Sequence, residues 1–280
     1  PESNEQLWAS AGLIEKTVEP NTVEIVSIPV KTASPLASGA ITPMSIEATL
    51  TYHPENQPVV QLDNHLLVRP EYPVAIPLVR KAITIDGQSG DWKELRHSVA
   101  EKAYVQGSPF AHTGVADASF RFDFQYDANF LYMIAEVQDD QLEMRDANSP
   151  LNQDGLAFLI DARPLIESMN SEGEGFFKEY AVIAVSPGEA GDGEGNLLLK
   201  QMLPPGIKTY CRRTATGYIV EAALPVAYLD LMQGGKWKQL RINVVQHDTD
   251  LSGQHESTLF WQPDWRTEEN VMGSGVFRGE

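Results

Sequence analysis

The chain has 280 residues, of which 39 are acidic and 21 basic, giving a formal net charge of −18. That balance argues against a nucleic-acid binder or a basic membrane-surface protein, since both need a cationic patch. Apolar residues make up 42% and charged residues 21%, ordinary globular values, and no apolar run approaches the roughly 18 residues of a membrane span.

The first twenty residues are weakly patterned, and 8–14 reads as a short helical turn or a packed arm. From Thr22 the pattern is β. Residues 23–28 alternate and stop at Pro29. Ile46, Ala48, Leu50 and Tyr52 alternate with Ser45, Glu47, Thr49 and Thr51, the period of a half-buried strand. A turn at 53–56 and a strand at 59–68 follow. The spaced prolines Pro70, Pro73 and Pro77 close this region, which places a domain boundary near residue 80. The first region, 1–80, then holds a small β unit or part of a sandwich.

The second region, 81–280, is also β. Phe120, Phe122, Phe124 and Tyr126 form one strand and 130–137 the next, with 127–129 as the hairpin turn. Further strands are expected at 155–160, 180–185, 207–212, 217–222, 240–246 and 257–261. A short helix at 225–232 ends at Gly234-Gly235. Residues 189–196 read as a Gly-rich acidic stretch. Many short strands separated by turn signals predict an all-β fold, an antiparallel β-sandwich. Cys211 is the only cysteine, which excludes an internal disulfide.

Six segments in order resemble the family nine carbohydrate-binding modules, over roughly residues 83–278. They are Ile85-Asp86-Gly87 with Asp91-Trp92; Tyr126 to Tyr132 leading to Asp139-Asp140; Asn152-Gln153-Asp154-Gly155 running to Asp161; Gly217-Tyr218-Ile219-Val220-Glu221-Ala222-Ala223-Leu224-Pro225; 243–250; and Trp261, Trp265 and Gly273. The resemblance implies a jelly-roll-like sandwich that binds glycans without cleaving them. It also implies a secreted, periplasmic or cell-surface protein, often a glycoside hydrolase that carries the module and bound calcium. Pro1 in place of Met and the lack of a leader pattern agree with a trimmed segment of a longer protein.

The resemblance also implies a terminal sugar held between two tryptophans. Trp265 matches one wall. Leu151 stands where the other is expected, and leucine has no ring face to offer a sugar. The candidate glycan-binding residues are Trp265, Arg145, Asn152, Gln153, Asp154 and Trp261, because sugar hydroxyls need both donors and acceptors, and amides with a guanidinium supply the two kinds together. For metal, Asp248-Thr249-Asp250-Leu251-Ser252-Gly253 with Glu256 sets oxygen ligands at positions 1, 3, 5 and 9 of a half EF-hand-like loop, with Leu259 at position 12. Asp139, Asp140 and Asp146 form a second calcium candidate, and 192–196 a third. No G-x-S-x-G, H-E-x-x-H or P-loop is present. The chain therefore reads as a non-catalytic glycan-binding module. The alternatives are a structural or interaction sandwich with a degenerate sugar site, and a contributor to a glycoside hydrolase active site.

Overall fold

The computed structural model describes residues 7–9, 30–32, 44–52, 59–68, 73–100, 105–107, 112–144, 153–164, 180–188, 191–250, 257–262 and 275–280. The chain divides into two compact units, Pro1–Tyr72 and Pro73–Glu280. In the first, strand β1 (Leu7–Ala9) pairs antiparallel with β2 (Val30–Thr32). Trp8, expected in a helical turn or arm, is therefore in a strand. β3 (Met44–Tyr52) pairs with β4 (Val60–Val68) along its whole length, as the alternation predicts. The expected strand at 23–28 and turn at 53–56 lie outside the described residues.

The second unit is a curled antiparallel sandwich, 13-stranded among the described residues. Its strands are β5 (Val74–Ile76), β6 (His97–Val99), β7 (Val105–Gly107), β8 (Ala118–Tyr126), β9 (Phe130–Asp139), β10 (Gly155–Asp161), β11 (Ala181–Gly188), β12 (Gly191–Leu197), β13 (Lys208–Thr214), β14 (Gly217–Pro225), β15 (Gln239–Asp248), β16 (Ser257–Phe260) and β17 (Gly275–Gly279). The path runs β5-β17-β15-β10-β11-β12-β13-β14-β9-β8-β6, with β16 on β15 and β7 on β16. Among the described strand pairs β5 against β17 is the parallel one, and an isolated parallel bridge joins Leu78 to Tyr126. One helix, α1 (Val226–Met232), follows β14 where the helical spacing ends at Gly234.

β12 carries the curl, because it pairs with β11 on one side and with β13 on the other. Its sequence, Gly-Asp-Gly-Glu-Gly-Asn-Leu, reads as a loop since strands rarely hold so much glycine. The tertiary fold overrides that preference.

Period-two alternation fills the space between the two layers. Phe120, Phe122 and Phe124 of β8 and Leu131, Met133 and Val137 of β9 meet Leu156, Phe158 and Ile160 of β10 and Ile242 and Val244 of β15. Phe124 meets Phe158 and Phe277 edge to face, with centroids at 6.2 and 5.0 Å. Residues 130–137 read as almost unbroken apolar sequence because β9 is covered on both faces. Its other face, Tyr132 and Ile134, packs against Ile83 and Trp92.

A buried carboxylate fastens that outer cover. Glu221 on β14 is fully buried. It accepts the Asp86 and Gly87 amides at 2.9 and 2.7 Å and the Trp92 indole N–H at 3.0 Å. Burial pushes the Glu221 carboxyl up, and the three donors draw it back. Gly87 turns with φ of +72°, and a Cβ there would lie 2.7 Å from the Arg212 Cβ, so this turn requires glycine. Two segments that carry the family resemblance, Ile85-Asp86-Gly87 with Trp92 and the β14 stretch, thus meet through one side chain.

Removing that carboxylate strands three donors, each worth about 1–3 kcal/mol when left buried and unpaired. Glu221→Ala is expected to lower the unfolding free energy in urea by about 3 kcal/mol or more, and Glu221→Gln by less. A Glu221→Ala midpoint equal to wild type would refute the clasp.

Candidate functional site

The ends of β8, β9, β10, β14 and β15 converge at one edge of the sandwich. Ala118 at the start of β8 pairs with Asp139 at the end of β9. Gly217 at the start of β14 pairs with Gln138. Gly155 at the start of β10 pairs with His247, one residue before the end of β15. This register brings together acids that are distant in sequence.

Asp139, Asp154 and Asp248 each offer a carboxylate oxygen within 4.8 Å of the others. Their exposures are 4%, 0% and 1%. Beside them, Asp117, Asp140 and Asp250 form a second group with the same spacing, in which Asp117 is buried and Asp140 exposed. Consecutive residues Asp139 and Asp140 fall in different groups, as do Asp248 and Asp250. The candidate metal loops are therefore divided between two clusters, and Asp154, expected to face a sugar, belongs to the buried one.

The backbone supplies part of what the buried carboxylates need. Asp154 accepts the Glu143 amide and the Thr249 amide, the latter at 2.7 Å, and its own amide donates to the Glu143 carbonyl at 3.2 Å. Asp139 accepts the Gln141 amide at 3.0 Å. Asp248 accepts the Ser257 hydroxyl at 2.7 Å. These bonds hold four stretches of chain, 139–143, 154, 248–249 and 257, to one point. Among the described residues, Asp139 Oδ2, Thr249 Oγ1 and the Tyr218 hydroxyl are buried without a hydrogen-bond partner.

The electrostatics follow from burial. Burial raises Asp154 to about 9, with the nearby charge of Asp139 adding to it. It raises Asp248 to about 7, despite the Ser257 hydrogen bond. Asp139 rises to about 6 for the same first reason, with Asp250 and Asp140 contributing. Burial also pushes Tyr218 well up, helped by the charges of Asp139 and Asp154. Three crowded carboxylates in a dry site resist ionisation unless a cation joins them. Hard oxygen donors with orphaned partners fit a divalent cation of the calcium type.

The third acidic candidate is neutralised by the protein. Asp192 accepts the Arg213 amide at 3.1 Å and pairs with Arg212 at 3.4 Å. Glu194 pairs with Lys200 at 2.7 Å.

Among the glycan candidates, Gln153 is 1% exposed and donates to the Ser186 hydroxyl at 2.6 Å, so its amide is turned inward. Trp261 is half-buried and lies edge-on to Phe122 and His97 at 5.3 and 5.5 Å. A Cβ on Gly275 would lie 2.3 Å from its indole, so the chain passes tightly behind the ring. The next residue, Gln262, is clamped at both backbone groups by the Asn243 amide, at 2.9 Å each. Arg145, Asn152, Trp265, Ser252 and Glu256 lie outside the described residues. The segments that continue to Arg145 and Asn152 leave from the Glu143–Asp154 pair, and the segment toward Trp265 leaves from the Asn243 clamp.

Sequence reasoning missed Asp117 and Tyr218. Asp117 has no acidic neighbour in sequence, and Tyr218 sits in an alternating apolar strand where it reads as core.

The sequence profile described as "Carbohydrate family 9 binding domain-like" matches residues 85–276, and the chain belongs to that family. No curated protein matches it. Among solved structures, it is similar to a carbohydrate binding module family 9 from Caldicellulosiruptor kristjanssonii in complex with cellotriose. The match has 16% identity and a TM-score of 0.54, covering 75% of this chain and 94% of that one. A glucose complex described in the same words matches at 16% identity and a TM-score of 0.50, covering 75% and 96%. At that identity the likeness establishes the fold, which is that of a carbohydrate-binding module.

The sign of the pH dependence follows from the raised carboxyls. Without metal, the folded state holds protons at Asp139, Asp154 and Asp248 that the unfolded chain releases near pH 4. Folded pKa values above the unfolded ones make stability fall as pH rises from about 4 to about 9. In a chelating buffer the melting temperature should drop steadily across that window. Asp139→Asn should melt above wild type at pH 8, since it removes one charge and keeps the oxygen that accepts Gln141. A flat profile, or an Asp139→Asn protein that melts lower at pH 8, would refute strain from buried charge.

Proposed function

We propose that this chain is a non-catalytic glycan-binding module of a secreted or cell-surface protein, appended to a glycoside hydrolase or similar enzyme. The carrying observation is membership of residues 85–276 in the carbohydrate family 9 binding domain-like family. The two solved relatives are described with cellotriose and glucose bound, and the reading extends that substrate class, a neutral β-linked glycan, to this protein. No helix among the described residues is long and apolar enough to cross a membrane.

In this reading Trp265 is the ring platform, and Arg145 and Asn152 supply hydrogen bonds to sugar hydroxyls. Gln153 acts one step behind them. Its bond to Ser186 fixes the strand entrance from which Asn152 leaves. Trp261 likewise supports rather than touches, because its ring is engaged with Phe122, His97 and Phe277. Calcium would be held by Asp139, Asp154 and Asp248, with Asp140 and Asp250 in the neighbouring cluster and Ser252 and Glu256 as candidate further donors. The ion would supply only charge neutralisation and a fixed centre. The chain's own bonds, from Glu143 and Thr249 to Asp154, turn that fixed centre into fixed loop roots.

A second reading is a structural or interaction sandwich that has lost sugar affinity. Leu151, where the family pattern places an aromatic wall, favours it.

Calorimetric titration with cello- and xylo-oligosaccharides separates the two. The glycan-binding reading expects measurable heat for wild type and at least about tenfold weaker binding for Trp265→Ala, the scale of one lost aromatic contact. It expects a similar loss in chelator. No heat with any member of the panel, calcium present, would favour the structural reading.

A further inference from the structure

We propose a second saccharide subsite at the opposite end of the sandwich, centred on Trp237; it rests on the reading of the chain as a glycan binder. A cavity of about 440 Å³ opens there, its lining including Tyr126, Asp127, Lys236, Trp237, Lys238 and Gly279. That volume lies within the ~300–1,000 Å³ common for small-molecule sites. Strand β8 separates it from the acidic cluster. Asp117 precedes the first residue of this nine-residue strand and Tyr126 ends it, a span of roughly 30 Å at about 3.3 Å per residue. One short oligosaccharide cannot reach both ends.

The pocket has the parts that a sugar face needs. Trp237 is half-buried and lines the cavity. Its ring meets Tyr126 edge to face, at 5.0 Å and 78°. A pyranose presents C–H groups on one face, and these pack on an indole through area burial and the ring quadrupole. The platform is rigid before any ligand arrives. The Trp237 amide donates to Asp230 at 3.0 Å, and the Tyr126 hydroxyl donates to the Glu280 backbone carbonyl at 2.7 Å. Gly279 lies so close that a Cβ there would be 3.0 Å from both the indole and the Tyr126 hydroxyl. A site built on packed strands and turns in this way loses little entropy on binding.

The lining also chooses the ligand. Lys236 is paired with Asp230 at 2.8 Å. Asp127 spends its oxygens on the Asn129 and Phe130 amides and the Tyr132 hydroxyl. With Lys236 held by Asp230, the rim keeps Lys238 against Asp127 and Glu280, a small excess of negative charge. A neutral pyranose suits this balance better than a uronate or sulfated sugar. Lys238 supplies a donor beside the ring.

The test follows backbone and indole N–H resonances of the full chain during titration with cellotriose and xylotriose, calcium present. The subsite predicts saturable shifts at Trp237, Lys238 and Gly279. It predicts that they persist in Trp265→Ala, weaken at least tenfold in Trp237→Ala, and weaken less in Trp237→Phe, which keeps a ring. Unchanged melting of the Trp237 variants shows that a lost signal is not unfolding. Shifts confined to the acidic end, with Trp237 silent, would overturn the subsite and leave the glycan-binding reading standing. Shifts at Trp237 alone would uphold the subsite and overturn the placement at Trp265. Silence at both ends would overturn both.

Discussion

Three carboxylates packed into a dry space repel one another, and much of this module's functional edge is arranged around that repulsion. Asp139, Asp154 and Asp248 come from the ends of three strands that pair only through the sheet. Water cannot screen them, since their exposures are 4%, 0% and 1%. Such a group is costly as a stability device on its own. It makes physical sense where a cation completes it, or where protons are retained at neutral pH. Either way the site is a joint. The amides of Gln141, Glu143 and Thr249 bond directly to its carboxylates, so the chain around these three residues is tied to it.

The two ends of the sandwich solve different problems with different chemistry. At the acidic end, hydrogen bonds and charge fix the roots of long connections. At the other end, tight packing around Gly279 fixes an aromatic pair without a group of buried carboxylates. The Glu221 clasp lies between them in function. It anchors the outer segment that covers β9 and lets that strand be apolar on both faces. The formal charge of −18 is thus unevenly spent. Part of it is buried where it demands a partner, part is neutralised by Arg212 and Lys200, and the remainder is solvated surface.

Much of the architecture was legible because strands buried on one face alternate and hairpin turns are marked by polar residues. The pair from Phe120 to Val137, with its turn at Asp127, is the clearest case. The helix before Gly234 is another. β12 was not legible, since its glycines carry no apolar period and its strand identity comes from neighbours on both sides. Short edge strands such as β5, β6 and β7 are three residues long, too few for a period to show. For the site, Asp139 and Asp248 stood out as acids in loop segments, and Asp154 as a candidate sugar contact. Their grouping did not, because it depends on register between strands about a hundred residues apart. Local loop reading instead joined Asp248 to Asp250, which the fold assigns to different clusters. Tyr218 was invisible for a simpler reason: a buried tyrosine in an apolar strand looks like packing until the carboxylates above it are known.

The central claim is that the buried acidic cluster, completed by calcium, fixes the loop roots of the glycan-binding edge. Amide hydrogen exchange at Glu143 and Thr249, both donors to Asp154, tests it most directly. At pH 7, exchange at these two amides should slow at least tenfold when calcium replaces chelator, while the Asp86 and Gly87 amides held by Glu221 change little. Equal protection of Glu143 and Thr249 in calcium and in chelator would contradict the account.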